Sequence, residues 1–302
     1  MPKANSKSRK YYYNSLVGGF MSQGRKQILV TGAAKGIGRE IVTYLADQEM
    51  EVIAVDIDEE ALKELQNRKN IRIIPMDVTN PNSIEKAVKQ VEQLVEGLDG
   101  LVNNAGLFVG GPLVEIDPEE IKKVLEVNVL GMVRVTRALF PLLFKKRGRI
   151  VNMSSETGRF VLPLNGPYSM SKFAVEAFSD ALRRELMLYD MKVIVIQPGA
   201  IRTDLLKTAT PQMYQKCLED TESALFEPQL KMVKRVCEKE YQKGAEPIKV
   251  AKTVHKALCS SRPKIRYRIN NDRLRRLAEK LPTVCADWIV KLVMKKAEKN
   301  NN

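Results

Sequence analysis

Tyr168 and Lys172 lie four residues apart in the run YSMSK at 168–172, a spacing that could support proton transfer. In the helix that we predict at 168–189, residues four apart share one face, so the phenol and the ammonium would be neighbours. A phenol with a pKa of about 10 is a poor base near neutral pH. A nearby ammonium stabilises the phenolate and lowers its pKa, which predicts Tyr168 as a general acid and base.

A serine hydroxyl could assist this pair from the run MSSETG at 153–158. Ser155 would donate a hydrogen bond to a substrate oxygen and stabilise the charge that develops there. If these three residues were scattered in the fold, a surface Tyr–Lys pair and a helix-capping serine would be the better interpretation. The predicted chemistry therefore depends on the elements that position the three side chains.

One such element is a glycine-rich turn, TGAAKGIG at 31–38, between a predicted strand and a predicted helix. Gly32, Gly36 and Gly38 allow a tight turn and let the backbone and the helix N-terminus approach a pyrophosphate closely. A glycine-rich turn alone is weak support for a nucleotide site. Here the preceding strand, the following helix and a later acidic residue together predict a dinucleotide site.

That acidic residue is Asp56, at the end of the second predicted strand. A carboxylate there accepts hydrogen bonds from ribose hydroxyls and repels a 2′-phosphate, so it favours NAD over NADP. Lys35, inside the turn, has the opposite effect because it could pair with that phosphate. Asp56 is at the more decisive position, so NAD is the predicted cofactor and NADP is the alternative. A simple strand-end turn is the other interpretation of Asp56.

Short β-branched runs alternate with amphipathic helical patterns from Gln27 onward, which predicts an α/β protein. The strand candidates lie at 27–31, 51–55, 71–75, 99–103, 148–153 and 192–197. The helical patterns lie at 37–48, 59–66, 81–96, 118–145 and 168–189. Strands with near-continuous Val and Ile are covered on both faces, so we predict one doubly wound parallel sheet, a Rossmann fold, over about 27–200.

The alternation stops after Thr203, and residues 204–246 read as helical. Because this segment follows a strand at the edge where such sheets bind ligands, it predicts a mobile lid over a hydrophobic substrate. A helical pair that only packs on the body is the alternative. The bulky apolar residues of this segment are Leu205, Leu206, Met213, Tyr214, Leu225, Phe226, Leu230, Met232 and Val233.

The C-terminal residues, 262–302, read as a basic amphipathic extension of the domain at 27–261. An apolar stripe that contains tryptophan and is bordered by lysines suits a helix lying on a membrane surface. It equally suits a helix packed against the body or against a second subunit. The stripe consists of Val284, Trp288, Ile289, Leu292 and Val293, and the lysines are Lys291, Lys295 and Lys296.

The formal charge of +14 is concentrated at the two ends of the chain. Residues 1–26, which we predict to be a flexible tail, contain six Lys/Arg and no acid, and 262–302 contain twelve Lys/Arg against four acids. Such ends could contact an anionic membrane or nucleic acid, or could only aid solubility. We expect peripheral membrane contact rather than nucleic-acid binding.

Composition excludes several other classes. The single histidine, His255, excludes a multi-histidine metal site, and a Ser–His–Asp triad could form only through it. The four cysteines have no close pair, which fits a reducing compartment. No run approaches the ~18 apolar residues of a spanning helix, and residues 1–26 lack a secretory apolar segment. The sequence therefore predicts a cytoplasmic protein, either soluble or peripheral on a membrane.

The motifs taken together resemble the classical short-chain dehydrogenase/reductase family over about 27–203. A YxxxK run alone is common, whereas the whole ordered set is specific. The regions around Ser155 and Tyr168, and the run PKIRY at 263–267, are similar to the branch of retinol, hydroxysteroid and 3-hydroxybutyrate dehydrogenases. The ordered set is TGAAKGIG at 31–38, Asp77–Val78, NNAG at 103–106, Asn128, Ser155, YSMSK at 168–172 and PGAIRT at 198–203.

The resemblance implies roles for further residues. Asn128 would hold a water that links Lys172 to solvent, and Lys172 would also bind the nicotinamide ribose. Thr203 would bind the nicotinamide carboxamide, while Asn103 has a structural share because its side chain can tie adjacent strands. The remaining cofactor contacts would come from Ile37 in the turn, Asp77 and Val78 at the adenine, Asn104, Ala105 and Gly106 in the cleft, and Pro198, Gly199 and Ile201 over the nicotinamide.

The implied function is an NAD-linked oxidoreductase that interconverts a secondary alcohol and a carbonyl on a hydrophobic substrate, with Ser155 and Tyr168 contacting that substrate. One alternative is an NADP-dependent ketone or aldehyde reductase of the same family. Another is a non-catalytic, cofactor-sensing binding protein, which the complete set of four catalytic residues disfavours. The resemblance also implies a homodimer or homotetramer through the helices at 118–145 and 168–189.

Overall fold

A computed structural model of the chain describes residues 24–220 and 224–299. Most of the predicted N-terminal tail therefore lies outside the described residues. The same is true of a short piece of the predicted lid, residues 221–223, and of the last three residues of the chain.

The described residues form a seven-stranded parallel sheet in the order β3-β2-β1-β4-β5-β6-β7. The strand order reverses between β1 and β4, and in such sheets ligands bind outside the carboxyl ends of the strands at this point. The predicted Rossmann fold is confirmed. The strands are β1 (Gln27–Thr31), β2 (Glu51–Asp56), β3 (Ile71–Pro75), β4 (Gly100–Asn103), β5 (Arg149–Met153), β6 (Val193–Pro198) and β7 (Arg266–Ile269).

Helices connect successive strands of the sheet. Polar residues begin several of them, since Asp58, Asn80 and Asp117 each accept hydrogen bonds from first-turn N–H groups. The helices are α1 (Gly36–Asp47), α2 (Glu59–Lys63), α3 (Pro81–Leu94), α4 (Pro118–Leu125), α5 (Met132–Lys145), α6 (Gly166–Glu185), α7 (Thr210–Asp220), α8 (Glu227–Lys243), α9 (Pro247–Cys259), α10 (Arg273–Ala278) and α11 (Thr283–Lys299).

The sheet is covered on both faces. Along β1, Ile28 and Val30 belong to the apolar layer that contains α1 and α9, while Leu29 belongs to the layer with α3 and α5. Side chains alternate between the faces of a strand, so a strand buried on both faces must be apolar at every position. This explains the continuous ILV run in the sequence.

The prediction of a six-stranded sheet ending near residue 200 was wrong, because β7 pairs in parallel with β6. Tyr267 and Ile269 are buried, whereas Arg266 and Arg268 form ion pairs with Glu176 and Glu279. These alternating arginines give the strand the composition of a basic tail. The predicted boundary at residue 261 therefore falls before the last strand of the sheet.

The long helix predicted at 118–145 is interrupted by a π-helical turn, Glu126–Gly131, between α4 and α5. By length and composition, Pro118–Lys145 could cross a membrane, but half of its apolar stretch is buried in the fold. Val135 and Leu139 pack in the layer against the sheet. The fold therefore accounts for the apolar character of this helix.

Candidate active site

A cleft of about 1330 Å³ opens at the carboxyl ends of the strands. Asn128 is the one predicted site residue that does not line it. The predicted residues that do are Gly32, Lys35, Gly36, Ile37, Gly38, Asp56, Asp77, Val78, Asn104, Ala105, Gly106, Ser155, Tyr168, Lys172, Pro198, Gly199, Ile201 and Thr203.

The glycine-rich turn leads from β1 into α1 at the polar half of this cleft. Gly32 and Gly36 have φ angles of 63° and 53°, which side chains rarely adopt. A Cβ atom at Gly38 would lie 1.8 Å from the Gly32 carbonyl oxygen, so no larger residue fits there. No side chain caps the N-terminus of α1. Its first N–H groups can therefore face an anionic group.

Asp56 links the end of β2 to the glycine-rich turn. One carboxylate oxygen accepts from the Ala34 N–H at 2.9 Å, and the other accepts from the Asp58 N–H at 3.0 Å. Lys35 forms an ion pair with Asp58 at 2.6 Å, so its ammonium is partly neutralised. This end of the cleft is thus bordered by two carboxylates and one paired lysine.

Asn103 and Asn104 fix the edge of the cleft formed by β4. Asn103 Nδ2 donates to Asn152 Oδ1 on β5 at 2.8 Å, which confirms that its side chain ties adjacent strands. Asn104 Nδ2 donates to the carbonyl oxygens of Thr31 and Gly32, each at 3.0 Å. These bonds hold the β4 end and the glycine-rich turn at a fixed separation.

Tyr168 and Lys172 lie one turn apart on α6 and face the cleft. The Lys172 Nζ atom is 5.4 Å from the centroid of the Tyr168 ring and donates to the Met153 carbonyl at 3.0 Å. Phe108 also packs against the phenol, with ring centroids 5.0 Å apart. The phenol ring therefore has both a cation and an aromatic side chain as neighbours.

Desolvation dominates the titration of both groups. It raises the pKa of Tyr168 to about 12, and the hydrogen bond with Ser155 opposes that effect. It lowers the pKa of Lys172 to about 8. Burial therefore opposes the lowering of the phenol pKa that the sequence predicts from the neighbouring ammonium. At neutral pH the phenol is a proton donor.

Ser155 ends β5 and begins a short 3-10 turn, Glu156–Gly158. Its hydroxyl accepts from the Thr157 N–H at 3.2 Å and from the Thr157 hydroxyl at 3.1 Å. It donates weakly to the Pro198 carbonyl at 3.4 Å. Ser155 also acts against the rise in the pKa of Tyr168, and both hydroxyl groups line the cleft.

Asn128 lies behind the cleft, in the π-helical turn at Glu126–Gly131. Its Oδ1 accepts from the Leu107 N–H at 2.8 Å, and its Nδ2 donates to the Ser171 hydroxyl at 2.9 Å. Such π-helical turns occur frequently at functional sites. This one turns the amide toward the loop after β4 and toward α6, next to the lysine-bearing face.

The other half of the cleft is apolar. Residues from the predicted lid enclose it, and Tyr214 is buried beneath them with its hydroxyl donating to the Leu164 carbonyl at 3.2 Å. Sequence reasoning missed several lining residues, because only the tertiary fold brings them here. The missed ones include Phe108, Glu156, Val236, Glu240, Arg275, Val290 and Met294.

The polar half fits a dinucleotide on the protein's own geometry. Backbone atoms pack so closely against Gly32 and Gly38 that neither position could carry a side chain, which keeps the turn tight. The uncapped N-terminus of α1 begins in the same turn. Asp56 ends the next strand at the place where a ribose would lie. The residues present therefore suit a pyrophosphate and an adenosine ribose.

Comparison with known proteins agrees with this geometry. A family model described as short chain dehydrogenase matches residues 26–214. The human short-chain dehydrogenase/reductase family 9C member 7 is 33% identical over 300 residues, 93% of each chain. Mouse retinol dehydrogenase 7 is 40% identical over 184 residues, 60% of this chain and 58% of its own length.

Solved structures show the same likeness. A short-chain dehydrogenase from Streptomyces avermitilis has a TM-score of 0.74 and 27% identity, covering 91% of this chain and 99% of its own. An actinorhodin polyketide ketoreductase solved with NADPH has a TM-score of 0.68 and 28% identity, covering 83% and 97%.

Proposed function

Since this chain belongs to the short-chain dehydrogenase/reductase family of NAD(P)-dependent oxidoreductases, we propose that it interconverts a secondary alcohol and a carbonyl on a hydrophobic substrate. Tyr168 is the general acid and base of this reaction. The observation that carries the proposal is that Tyr168, Ser155 and Lys172 line the same cleft, with Lys172 Nζ 5.4 Å from the centroid of the Tyr168 ring.

In this mechanism the side chains handle the proton. A nicotinamide cofactor, when bound, would supply hydride transfer at the carbon atom that carries the reacting oxygen. Tyr168 removes the hydroxyl proton in oxidation and returns it in reduction. Ser155 donates to the substrate oxygen and stabilises its developing charge.

Lys172 supports Tyr168 electrostatically. With a pKa of about 8, most of its amine is an ammonium at neutral pH, and it can still release its proton at modest cost. Gly106 lies between this amine and Asn128, since a Cβ atom there would be 3.7 Å from Lys172 Nζ and 3.2 Å from Asn128 Oδ1. This closeness of the Lys172 amine to Asn128 supports the proposed role of Asn128, which is to hold a water that passes protons to solvent.

The proposed function is tested by a screen of alcohols of graded size, with NADH and NADPH formation followed separately. We expect NAD-linked oxidation of large apolar secondary alcohols, because the substrate half of the cleft is lined by side chains such as Leu206, Met232 and Val233. Binding of NAD without turnover of any alcohol or ketone in either direction would contradict it and would favour the cofactor-sensing alternative.

We propose NAD as the preferred cofactor, and Asp56→Asn tests this preference. The asparagine keeps one acceptor for the turn but removes the charge that repels a 2′-phosphate. The ratio of kcat/KM with NADP to that with NAD should rise about tenfold, equivalent to about 1.4 kcal/mol. An unchanged ratio would mean that Asp56 does not face the ribose. The ion pair of Lys35 with Asp58 argues against the NADP-dependent alternative.

We also propose that the enzyme is cytoplasmic and contacts an anionic membrane surface through the outer face of α11. The apolar stripe expected from the sequence divides between two faces. Ile289 and Val293 line the cleft, although Val293 is also 52% exposed, whereas Val284 and Trp288 do not line it and are 80% and 62% exposed. Exposed lysines lie nearby on the same helix, at Lys291 and Lys295. An outward apolar face with basic neighbours suits lipid headgroups.

Trp288→Glu should weaken binding to vesicles that contain phosphatidylserine by about tenfold. The substitution removes aromatic area that would be buried in the lipid interface, and it adds a negative charge that the anionic lipids repel. Turnover of a soluble alcohol should not change. Leu188→Glu is the matched control, since Leu188 is 93% exposed and lies outside the C-terminal segment. Equal binding of both variants and the wild type to these vesicles in a flotation assay would contradict the proposal.

A homodimer or homotetramer through α4, α5 and α6 is a further proposal. Leu130, in the π-helical turn between α4 and α5, and Phe173 on α6 are each 42% exposed, and Met170 on α6 is 48% exposed. Large apolar side chains in such positions suit burial against a second copy. Sedimentation of the full chain checks this, and a monomer at micromolar concentration would contradict it.

A further inference from the structure

A buried ion cluster lies at the edge of the cleft, beyond the residues that act on the proton. The Arg275 guanidinium donates from Nη1 to Glu156 Oε1 and from Nη2 to Glu240 Oε1. The side chains of Arg275, Glu156 and Glu240 are only 19%, 10% and 28% exposed. All three line the cleft, and they come from three separate segments of the chain.

The first arm of this cluster reaches the catalytic serine. Glu156 directly follows Ser155, and its second oxygen accepts from the Asp272 N–H at 3.0 Å. Asp272 in turn caps α10 by accepting from the Arg275 N–H at 2.9 Å. The start of α10 is therefore bonded to the turn that carries Ser155 through both backbone and side chain.

The far end of α10 is bonded to the same region. Glu279 accepts from Arg159 Nε at 2.9 Å, and Arg159 directly follows the 3-10 turn. Glu279 also accepts from Arg268 Nη2 on β7, at 2.8 and 2.9 Å. Since both ends of α10 are held, Arg275 projects from a fixed support.

The second arm of the cluster reaches the lid. Glu240 lies on α8, the helix whose Leu230 and Cys237 pack with Tyr214 under the apolar half of the cleft. Met232 and Val236 on the same helix line that half directly. The position of α8 therefore sets the width of the substrate space, and Arg275 is what connects it to the serine turn.

We propose that Arg275 is a positioning residue that latches α8 over the substrate, with the serine turn and α10 as its anchor. Charge-assisted hydrogen bonds from one guanidinium to two carboxylates are geometrically restrictive, so α8 is held at a defined distance. The proposal rests on the proposed function for its kinetic consequences. The contacts that fix Ser155, to Thr157 and Pro198, do not pass through Arg275.

Glu240→Gln tests the latch because it removes the charge of the lid arm and leaves the Arg275–Glu156 pair intact. We expect KM for a large apolar alcohol to rise about tenfold, a change of about 1.4 kcal/mol in binding. kcat and the affinity for NAD should stay within about twofold of the wild type, since the proton chemistry and the binding of the cofactor involve other residues. KM for a small alcohol that does not reach α8 should not change.

Glu238→Gln is the matched control, because Glu238 is an exposed glutamate two residues earlier on the same helix. It should behave as the wild type. Arg275→Met leaves two carboxylates unpaired in a buried site, so this variant should unfold more readily than the wild type. It therefore serves only to confirm that loss of the cluster raises KM for the large alcohol. Arg275→Lys should rescue part of the effect, since one ammonium cannot reproduce both arms.

Amide hydrogen exchange separates failure of the latch from failure of the function. In Glu240→Gln, residues 227–243 should exchange about tenfold faster than in the wild type, whether or not any alcohol is turned over. Unchanged exchange there overturns the latch, and so does a fall in kcat with KM unaltered. A wild type that oxidises no alcohol overturns the proposed function alone.

Discussion

Replacing Tyr168 with phenylalanine should lower turnover by about 10³-fold, because general acid–base catalysis contributes about 10²–10⁴-fold. The substitution removes one hydroxyl and keeps the ring, which packs against Phe108 at 5.0 Å. The fold and the polar half of the cleft should therefore be unaffected. NAD affinity, measured by fluorescence titration, should remain within a few-fold of the wild type. Near-normal turnover by this variant would end the mechanistic claim.

Dependence on pH gives a second measurement on the same residue. The phenol pKa of about 12 means that Tyr168 is protonated at neutral pH. Oxidation needs the phenolate, so kcat/KM for an alcohol should rise with pH. Reduction needs the protonated phenol, so kcat/KM for a carbonyl substrate should fall as the phenol ionises. Lys172, with a pKa of about 8, loses its charge as the pH rises through that value, and this loss should add an inflection to both pH profiles. The dependence on the phenol should vanish in Tyr168→Phe.

Gly38→Ala should nearly abolish dinucleotide binding, an effect of about 10²-fold or more, since about 1.4 kcal/mol corresponds to each tenfold. Its Cβ would lie 1.8 Å from the Gly32 carbonyl oxygen and 2.6 Å from Asn104 Nδ2. Backbone is not free to move aside in a packed interior, so the turn itself must open. Isothermal titration with NAD measures the loss, and circular dichroism reports whether the helices remain.

Gly36→Ala is the comparison within the same turn. A Cβ there meets nothing closer than Thr203 Cγ2 at 3.8 Å, although the φ of 53° is strained for alanine. That conformation costs about 1–2 kcal/mol for alanine, so Gly36→Ala should lose clearly less affinity for NAD than Gly38→Ala. Equal losses would mean that the close approach at Gly38 does not control the shape of the turn.

The sequence was sufficient where function depends on local spacing. The strand–turn–helix at 27–47, the acid at Asp56 and the pair on one helix face each follow from neighbouring residues and their periodicity. Six strands were predicted correctly because buried parallel strands leave continuous apolar runs. Together with the family resemblance, these features identified site residues that all line the cleft, apart from Asn128.

The missed features depend on tertiary contacts. β7 alternates arginine with apolar residues, and its pairing with β6 and its ion pairs with Glu176 and Glu279 distinguish it from a solvated basic segment. The π-helical turn at Glu126–Gly131 leaves no mark on the helical period. Arg275 lies far along the chain from Glu156, and no local rule connects an arginine in a charged run to a glutamate beside a catalytic serine.

The parallel pairing of β7 with β6 also has a consequence for where this chain can be shortened. All six residues of β6 are buried, and four of them are Val or Ile. A protein truncated before Arg266 would present this strand as a bare rim with unmet N–H and C=O groups. Such a rim is a template for uncontrolled self-association. The C-terminal end is thus a safeguard of solubility as well as a source of charge.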